Sequence, residues 1–209
     1  MDALFECRFD RDFAPQSELR YVAETNTISG LAVPYGVLSN DFGAGFREII
    51  MPGAFAESLR SGADVMADVE HERLSRKIGR TGAGTLRLRD ETRGLFVEIT
   101  PPATTVGKDT IEEVRSGLLH AFSFGFKVAR PGGEKFYRRA DGTIREVHRA
   151  ALKDITLTSF PAYPQTSVAL RSMEAAQASL AAWQDDERRA EITARARDRL
   201  RRAMLEQKA

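Results

Sequence analysis

The sequence predicts a mainly β fold with flanking helices, in the form of an antiparallel β-barrel followed by a long C-terminal helix. Two observations support this fold class. Short runs of alternating apolar and polar residues, separated by Gly and Pro, recur over residues 4–170, which is typical of the many short strands of a closed or nearly closed barrel. Residues 173–209 contain no Gly or Pro and are rich in Ala, Arg, Glu and Asp, which favours a single helix. We therefore predict a β domain at residues 1–170 and a helical tail at residues 171–209.

Alternation and turn residues place the elements of the β domain in order. A first helix is expected over residues 53–60 after Pro52, and a second from Thr110, which has capping-box spacing to Glu113, as far as Gly117. Hairpins are expected at residues 90–94 and 141–142, where Asp and Gly favour tight turns. The predicted strands are residues 27–33, 46–50, 63–71, 85–89, 95–100, 118–128 and 151–160.

Composition excludes several classes of protein. The 209 residues carry 31 Lys and Arg against 30 Asp and Glu, a net charge of +1, so neither nucleic acid nor a membrane surface is expected as a partner. A single cysteine, Cys7, cannot form an internal disulfide. No apolar run approaches the roughly 20 residues that span a bilayer, and the charged N-terminus does not resemble a signal peptide. We therefore expect synthesis in the cytoplasm.

The strand predicted at residues 118–128 carries a candidate nucleophile, Ser123. Side chains alternate between the two faces of a strand, so this strand has an aromatic face that belongs in the core. On the other face Ser123 lies between Ala121 and Gly125, and these small neighbours leave room for a peptide backbone. The alternative is a serine on the solvent face of a half-buried strand. The aromatic face comprises Leu118, His120, Phe122, Phe124, Phe126 and Val128.

A serine nucleophile needs a base, usually an imidazole that a third group orients. Of the three histidines, His120 lies three residues from Ser123 and points to the opposite face. His71 and His148 remain. His71 shares the parity of the apolar residues of its strand, so a bulge or strand end at residues 70–71 is required to turn it outward. His148 precedes the last strand and could be a surface residue, a third triad member or an alternative base.

Asp154 is the candidate for the third group. In the strand at residues 151–160, Ile155 and Leu157 face the core, whereas Asp154, Thr156 and Thr158 share the polar face. A carboxylate on that face can accept a hydrogen bond from imidazole and stabilise the imidazolium. The alternative is a surface aspartate that pairs with Lys153 or an arginine.

These segments, in this order, resemble the prohead (procapsid) maturation protease family of tailed bacteriophages and prophages. The resemblance covers about residues 25–170 and includes Ser-Phe-Gly-Phe at residues 123–126 and Asp-Ile-Thr-Leu-Thr-Ser-Phe-Pro-Ala at residues 154–162. The other matching pieces are residues 28–33, 46–55, 71, 77–80 and 94–98.

The resemblance implies a serine endopeptidase related to the herpesvirus assembly protease and built on a barrel of that type. The family's catalytic histidine maps onto His71, its serine onto Ser123 and its third member onto Asp154, where the herpesvirus relatives have a second histidine. It also implies the partners: scaffold protein or domain, major capsid protein, and the protease itself as substrates. Cleavage would occur inside the immature capsid, or prohead, in the host bacterial cytoplasm. Neither a cofactor nor a metal is expected.

Three points stay open at this stage. The alternatives to a protease are a catalytically inactive, capsid-associated structural protein of the same fold and a metal-dependent hydrolase, for which the sequence has neither a helical histidine pair nor a cysteine pair. The backbone N–H groups that would bind an oxyanion are expected in residues 162–166. The tail is either an amphipathic helix that packs on the barrel or on its own copy, or an assembly contact that recruits the enzyme to the scaffold or shell. Its apolar stripe comprises Leu180, Trp183, Ile192, Ala196, Leu200 and Met204.

Overall fold

The computed structural model describes residues 19–39, 41–42, 44–72, 74–159 and 167–206, with side chains of the last segment described over residues 177–197. The mainly β prediction is confirmed: eleven strands precede a long C-terminal helix. In chain order the strands are β1 (Arg20–Val22), β2 (Thr27–Pro34), β3 (Phe46–Ile50), β4 (Met66–Val69), β5 (Lys77–Arg80), β6 (Leu86–Glu91), β7 (Gly94–Ile99), β8 (Ala121–Val128), β9 (Glu134–Arg139), β10 (Gly142–Val147) and β11 (Ala150–Thr158).

The described strands pair as three sheets, in the orders β1-β2-β7-β6, β3-β10-β9 and β5-β4-β11-β8. The predicted hairpins at residues 90–94 and 141–142 are present as the antiparallel pairs β6–β7 and β9–β10. An entirely antiparallel arrangement is wrong, because β3 pairs with β10 and β4 pairs with β11 in parallel. Parallel partners lie far apart in sequence, so local alternation carries no information about them. Closure into a barrel stays a prediction.

Two of the helices start elsewhere than predicted. Helix α1 (Ala56–Arg60) begins later than residue 53, and α2 (Thr105–Arg115) begins before Thr110. The N-cap of α2 is Thr104, whose side chain accepts a hydrogen bond from Gly107 N, whereas Thr110 lies inside the helix and donates to Val106 O at 2.8 Å. The predicted end is nearly right: Gly117, at φ +78°, follows the helix in the conformation that ends many helices.

Strand β8 starts at Ala121 instead of residue 118. The backbone N–H of Leu119 donates to Glu113 O in α2, so this stretch closes the helix before the strand can begin. Leu118 is consequently 64% exposed, and the prediction that it shares the apolar face of β8 is wrong. His120, also assigned to that face, is exposed as well.

The core that supports the third sheet is apolar and partly aromatic. Phe55 is fully buried and packs edge-on against Phe124 and Phe126 of β8, with ring centroids 6.3 and 6.1 Å apart. Ile155 and Leu157 of β11 are fully buried, as alternation predicted. Such burial stabilises by roughly 1.5–3 kcal/mol per large side chain and fixes the face on which the remaining β8 and β11 residues lie.

The C-terminal helix α3 (Ser167–Glu206) contacts the second sheet. Trp183 stacks on Phe136 of β9 with ring centroids 5.5 Å apart, and the Arg138 guanidinium lies 5.5 Å from the centroid of the same indole. The helical prediction for the tail is therefore confirmed, although α3 starts slightly earlier than residue 171. The domain boundary and the role of the tail in assembly stay predictions. None of the helices in the described part of the chain is both long and apolar enough to cross a bilayer.

Candidate active site

Three neighbouring strands of the third sheet bring three polar side chains into one row. Thr156 of β11 pairs with Ser123 of β8 on one side and with Asp68 of β4 on the other. Directly opposite residues in adjacent strands project from the same face, with Cβ atoms about 4.5–5.5 Å apart. We call Asp68, Thr156 and Ser123 the polar row. Asp68 and Thr156 are fully buried and Ser123 is 3% exposed. The alternative of a serine on a solvent-exposed face is therefore wrong, because the polar row is buried.

Asp154 lies on the same face as the polar row, two residues before Thr156. It pairs with Gly125 across the β8–β11 ladder, and its carboxylate lies over that glycine. A Cβ at position 125 would collide with Asp154 Oδ2 and come within 2.9 Å of Cγ. The glycine that follows Ser123 by two residues therefore makes room for the Asp154 carboxylate, in addition to leaving space beside the serine.

His71 reaches this face because β4 ends at Val69, earlier than residue 71. Glu70 and His71 then adopt φ values of +49° and +60°, which few residues other than glycine adopt. The Glu70 carboxylate fixes this turn, because it accepts hydrogen bonds from Thr158 Oγ1 and from Ser159 N, each at 2.7 Å. The strand end that the parity of His71 required is thus present.

The imidazole of His71 presents Nδ1 to β11. Nδ1 lies 3.1 Å from Thr156 Oγ1 and 3.7 Å from Asp154 Oδ1, and the His71 side chain is only 5% exposed. The distance to Thr156 is within hydrogen-bonding range, whereas the distance to Asp154 is longer than a normal hydrogen bond. The carboxylate is nevertheless close enough, in this buried setting, to stabilise a positive charge on the ring.

The other two histidines lie elsewhere. His148, between β10 and β11, places Nε2 3.0 Å from Glu146 Oε2. Ala150, the first residue of β11, pairs with Val128, whereas Thr156 pairs with Ser123, so six residues or about 20 Å of strand separate the His148 end of β11 from the polar row. The structure therefore brings His71, and not His148, to Asp154 and to Thr156, which is the cross-strand partner of Ser123. His120 precedes β8 with its side chain exposed.

Asp68 and Thr156 were not among the site residues predicted from the sequence. Alternation in the segment that holds Val65, Ala67 and Val69 does place Asp68 on the face opposite to these apolar residues. The signal in the sequence was the charged residue Asp68 between the apolar residues Ala67 and Val69. Its contact with Thr156 depends on the parallel pairing of β4 with β11, which the sequence does not reveal. The predicted oxyanion donors, residues 162–166, lie outside the described residues.

The site thus holds a buried serine, its cross-strand partner Thr156, and an imidazole whose Nδ1 lies 3.1 Å from that threonine and 3.7 Å from a buried carboxylate. The chain belongs to the family described as Caudovirus prohead serine protease (Peptidase_S78), whose model matches residues 15–179. No curated protein and no solved structure matches the chain. The family is one of serine peptidases that act in the prohead of tailed phages, which agrees with the resemblance noted in the sequence.

Proposed function

We propose that this protein is an endopeptidase that cleaves scaffold protein, capsid-protein extensions and its own chain during prohead maturation, through an acyl-enzyme on Ser123. The observation that carries the proposal is the convergence of Ser123 and His71 on Thr156. Thr156 is the cross-strand partner of Ser123, and its hydroxyl lies 3.1 Å from His71 Nδ1. The family membership supports the reaction class.

In the proposed reaction His71 is the general base and then the general acid. Ser123 Oγ forms a bond to the scissile carbonyl carbon while its proton passes to His71 Nε2. Collapse of the tetrahedral intermediate breaks the C–N bond, and His71 returns the proton to the leaving amine. Water then attacks the ester, again through His71, which releases the new carboxyl terminus and restores Ser123.

The charge that develops on His71 has a counterpart in Asp154. The Asp154 carboxylate is fully buried and 3.7 Å from Nδ1, so little water screens its attraction to the imidazolium. The collision of a Cβ at Gly125 with this carboxylate indicates that the sheet is built around an acid at position 154. We therefore propose Asp154 as the third member of the triad.

One observation favours a second candidate, a capsid-associated structural protein without activity. Ser123 is 3% exposed, so little of this residue is open to a substrate carbonyl in the structure. A structural protein would retain the polar row for stability only. The two candidates differ in whether Ser123 can be acylated.

The test is coexpression of wild type or Ser123→Ala with the capsid and scaffold proteins of the same phage, followed by chain masses over time in assembled proheads. Ser58→Ala is the matched control, since Ser58 is also buried and its Oγ accepts a hydrogen bond from Leu152 N at the other end of β11. We expect cleavage with wild type and Ser58→Ala and intact chains with Ser123→Ala. Cleavage that persists in Ser123→Ala would refute the proposal, and absence of cleavage in all three would favour the structural protein.

A further inference from the structure

The hydrogen bonds around Thr156 determine which nitrogen of His71 carries the proton. Thr156 Oγ1 donates to Asp68 Oδ1 at 2.5 Å and lies 3.1 Å from His71 Nδ1. An ionised carboxylate only accepts hydrogen bonds, and a hydroxyl has a single proton to donate. Because that proton is directed to Asp68, Thr156 Oγ1 can offer His71 only a lone pair. With Asp68 ionised, this geometry favours Nδ1 as the protonated nitrogen of the neutral ring.

We propose that Thr156 and Asp68 are positioning residues that hold His71 as the Nδ1–H tautomer, so that Nε2 keeps its lone pair for the proton of Ser123. The inference rests on the proposed function for its catalytic meaning, although the tautomer itself does not. Neutral imidazole has one donor and one acceptor nitrogen, and a base must present the acceptor to its nucleophile. The polar row thus links Asp68 to Ser123 through the tautomer of His71.

Asp68 and Asp154 have different tasks in this arrangement. Asp154 Oδ1 lies 3.7 Å from Nδ1, beyond normal hydrogen-bonding distance, and supplies mainly charge. Thr156 is the nearer acceptor, and its hydrogen bond orients the imidazole ring. Asp68 acts on the ring through Thr156, by fixing the orientation of the Thr156 hydroxyl in a charge-assisted hydrogen bond.

A purely structural role is the competing explanation, because the Thr156–Asp68 hydrogen bond also ties β11 to β4. The two explanations differ in the effect of conservative substitutions. Thr156→Val keeps the shape of the side chain but removes the acceptor, whereas Thr156→Ser keeps the hydroxyl. Asp68→Asn can turn its amide N–H₂ toward Thr156 Oγ1, which frees the hydroxyl to donate to Nδ1 and allows the wrong tautomer.

The tautomer can be measured without proteolysis. Nitrogen NMR of the imidazole is recorded on the full chain labelled with ¹⁵N-histidine, in a Ser123→Ala background that prevents self-cleavage, with His71→Gln to identify the His71 signals. We expect the Nδ1–H tautomer in the parent protein and in Thr156→Ser. In Thr156→Val and in Asp68→Asn we expect a larger share of the Nε2–H tautomer than in the parent. An Nε2–H ring in the parent protein, or an unchanged tautomer in both Thr156→Val and Asp68→Asn, would overturn the proposal. Since two different variants probe the same point, failure of one to fold leaves the other decisive.

The kinetic counterpart uses chains that carry Ser123. Loss of one hydrogen bond to a group that becomes charged corresponds to about a ten- to hundredfold lower rate. We therefore expect Thr156→Val to lower kcat by that factor with KM changed less than about twofold, and Thr156→Ser to restore most of it. A higher KM with kcat unchanged would contradict the positioning role. Proteolysis that survives Ser123→Ala would refute the proposed function and leave the tautomer result standing.

Discussion

The carboxylate of Asp154 occupies the volume that a side chain at position 125 would need. The two residues are cross-strand partners in β11 and β8, and a Cβ at Gly125 would collide with Asp154 Oδ2 and lie 2.9 Å from Cγ and 3.0 Å from Oδ1. The same carboxylate is 3.7 Å from His71 Nδ1. A single methyl group at position 125 therefore acts on the imidazole through the displaced acid.

We predict that Gly125→Ala lowers both stability and activity. Overpacking of this kind costs about 1–3 kcal/mol, and displacement of a catalytic group by about 1 Å can lower a rate by roughly a hundredfold. Chemical denaturation measures the first effect, and capsid-protein cleavage in assembled proheads measures the second.

The control is the double variant Gly125→Ala with Asp154→Ala. If the collision is the cause, the loss of stability in the double variant is smaller than the sum of the losses in the two single variants, because the carboxylate that the methyl group strikes is gone. Its activity remains low, since the acid is missing. Strict additivity of the two stability changes would show that the Gly125 effect has another origin.

Glu70 is predicted to position His71 through the backbone. Its carboxylate accepts from Thr158 Oγ1 and Ser159 N, and loss of these acceptors costs about 1–3 kcal/mol. Glu70→Ala releases the turn that holds His71 at φ +60°, so cleavage of capsid protein should fall by roughly tenfold or more.

Glu72→Ala is the matched control for this prediction. Glu72 lies in the same turn, is exposed and accepts a hydrogen bond from Ser75 Oγ at 2.6 Å, without a contact to β11 among the hydrogen bonds of the described residues. Cleavage rates and melting temperatures of both variants should be compared with wild type. Equal losses in Glu70→Ala and Glu72→Ala would assign the effect to the loop in general and contradict a specific role of Glu70.

Glu48 predicts how stability depends on pH. Burial raises the pKa of Glu48 from 4.5 to about 7, against the lowering effect of Arg145, whose guanidinium lies between Glu48 and Glu134. Between these two values the folded protein holds a proton that the unfolded chain releases. Stability from this group is therefore complete below about pH 4.5 and is lost as the pH rises through about 7, with a slope of at most about 1.4 kcal/mol per pH unit.

The measurement is a series of urea melts of wild type and Glu48→Gln between about pH 5 and pH 7.5. Glutamine does not titrate. The free energy of unfolding of wild type should therefore fall relative to that of Glu48→Gln as the pH rises across this range. Glu57→Gln is the control, since the Glu57 side chain is 70% exposed. A difference between wild type and Glu48→Gln that stays constant over the range would contradict the titration of Glu48.

The features that sequence predicted well depend on local alternation. Ile155 and Leu157 are buried as predicted, and Asp154 and Thr156 lie on the same face as Ser123. Period-two alternation fixes the face of a residue as long as the strand is regular, and the regular part of β11 includes all four of these positions.

The features that sequence could not predict depend on contacts between distant segments. The left-handed turn at Glu70 and His71 occurs at two residues other than glycine, which intrinsic preference disfavours, and it is held by hydrogen bonds to β11. The contact between Asp68 and Thr156 depends on the parallel register of β4 and β11. The start of α2 was misplaced because capping-box spacing also occurs inside helices, where Thr110 donates to Val106 O.

The last prediction concerns the contact between the tail and the β domain. Trp183 is the only tryptophan of the chain, so its fluorescence reports on this contact directly. It stacks on Phe136 and lies under the Arg138 guanidinium, which also pairs with Glu187 at 2.6 Å. The aromatic and cation–π contacts are each worth about 0.5–1.5 kcal/mol.

Phe136→Ala should therefore shift the emission of Trp183 to longer wavelength, because the indole loses its apolar neighbour and gains water. Ile192→Ala is the control on the same helix, since Ile192 is 61% exposed and its loss should leave the emission unchanged. If Phe136→Ala leaves the emission of Trp183 unchanged, the tail does not rest on β9 in solution. A shift with Phe136→Ala and none with Ile192→Ala would show that α3 rests on β9 at Trp183, as the stacking of the two rings indicates.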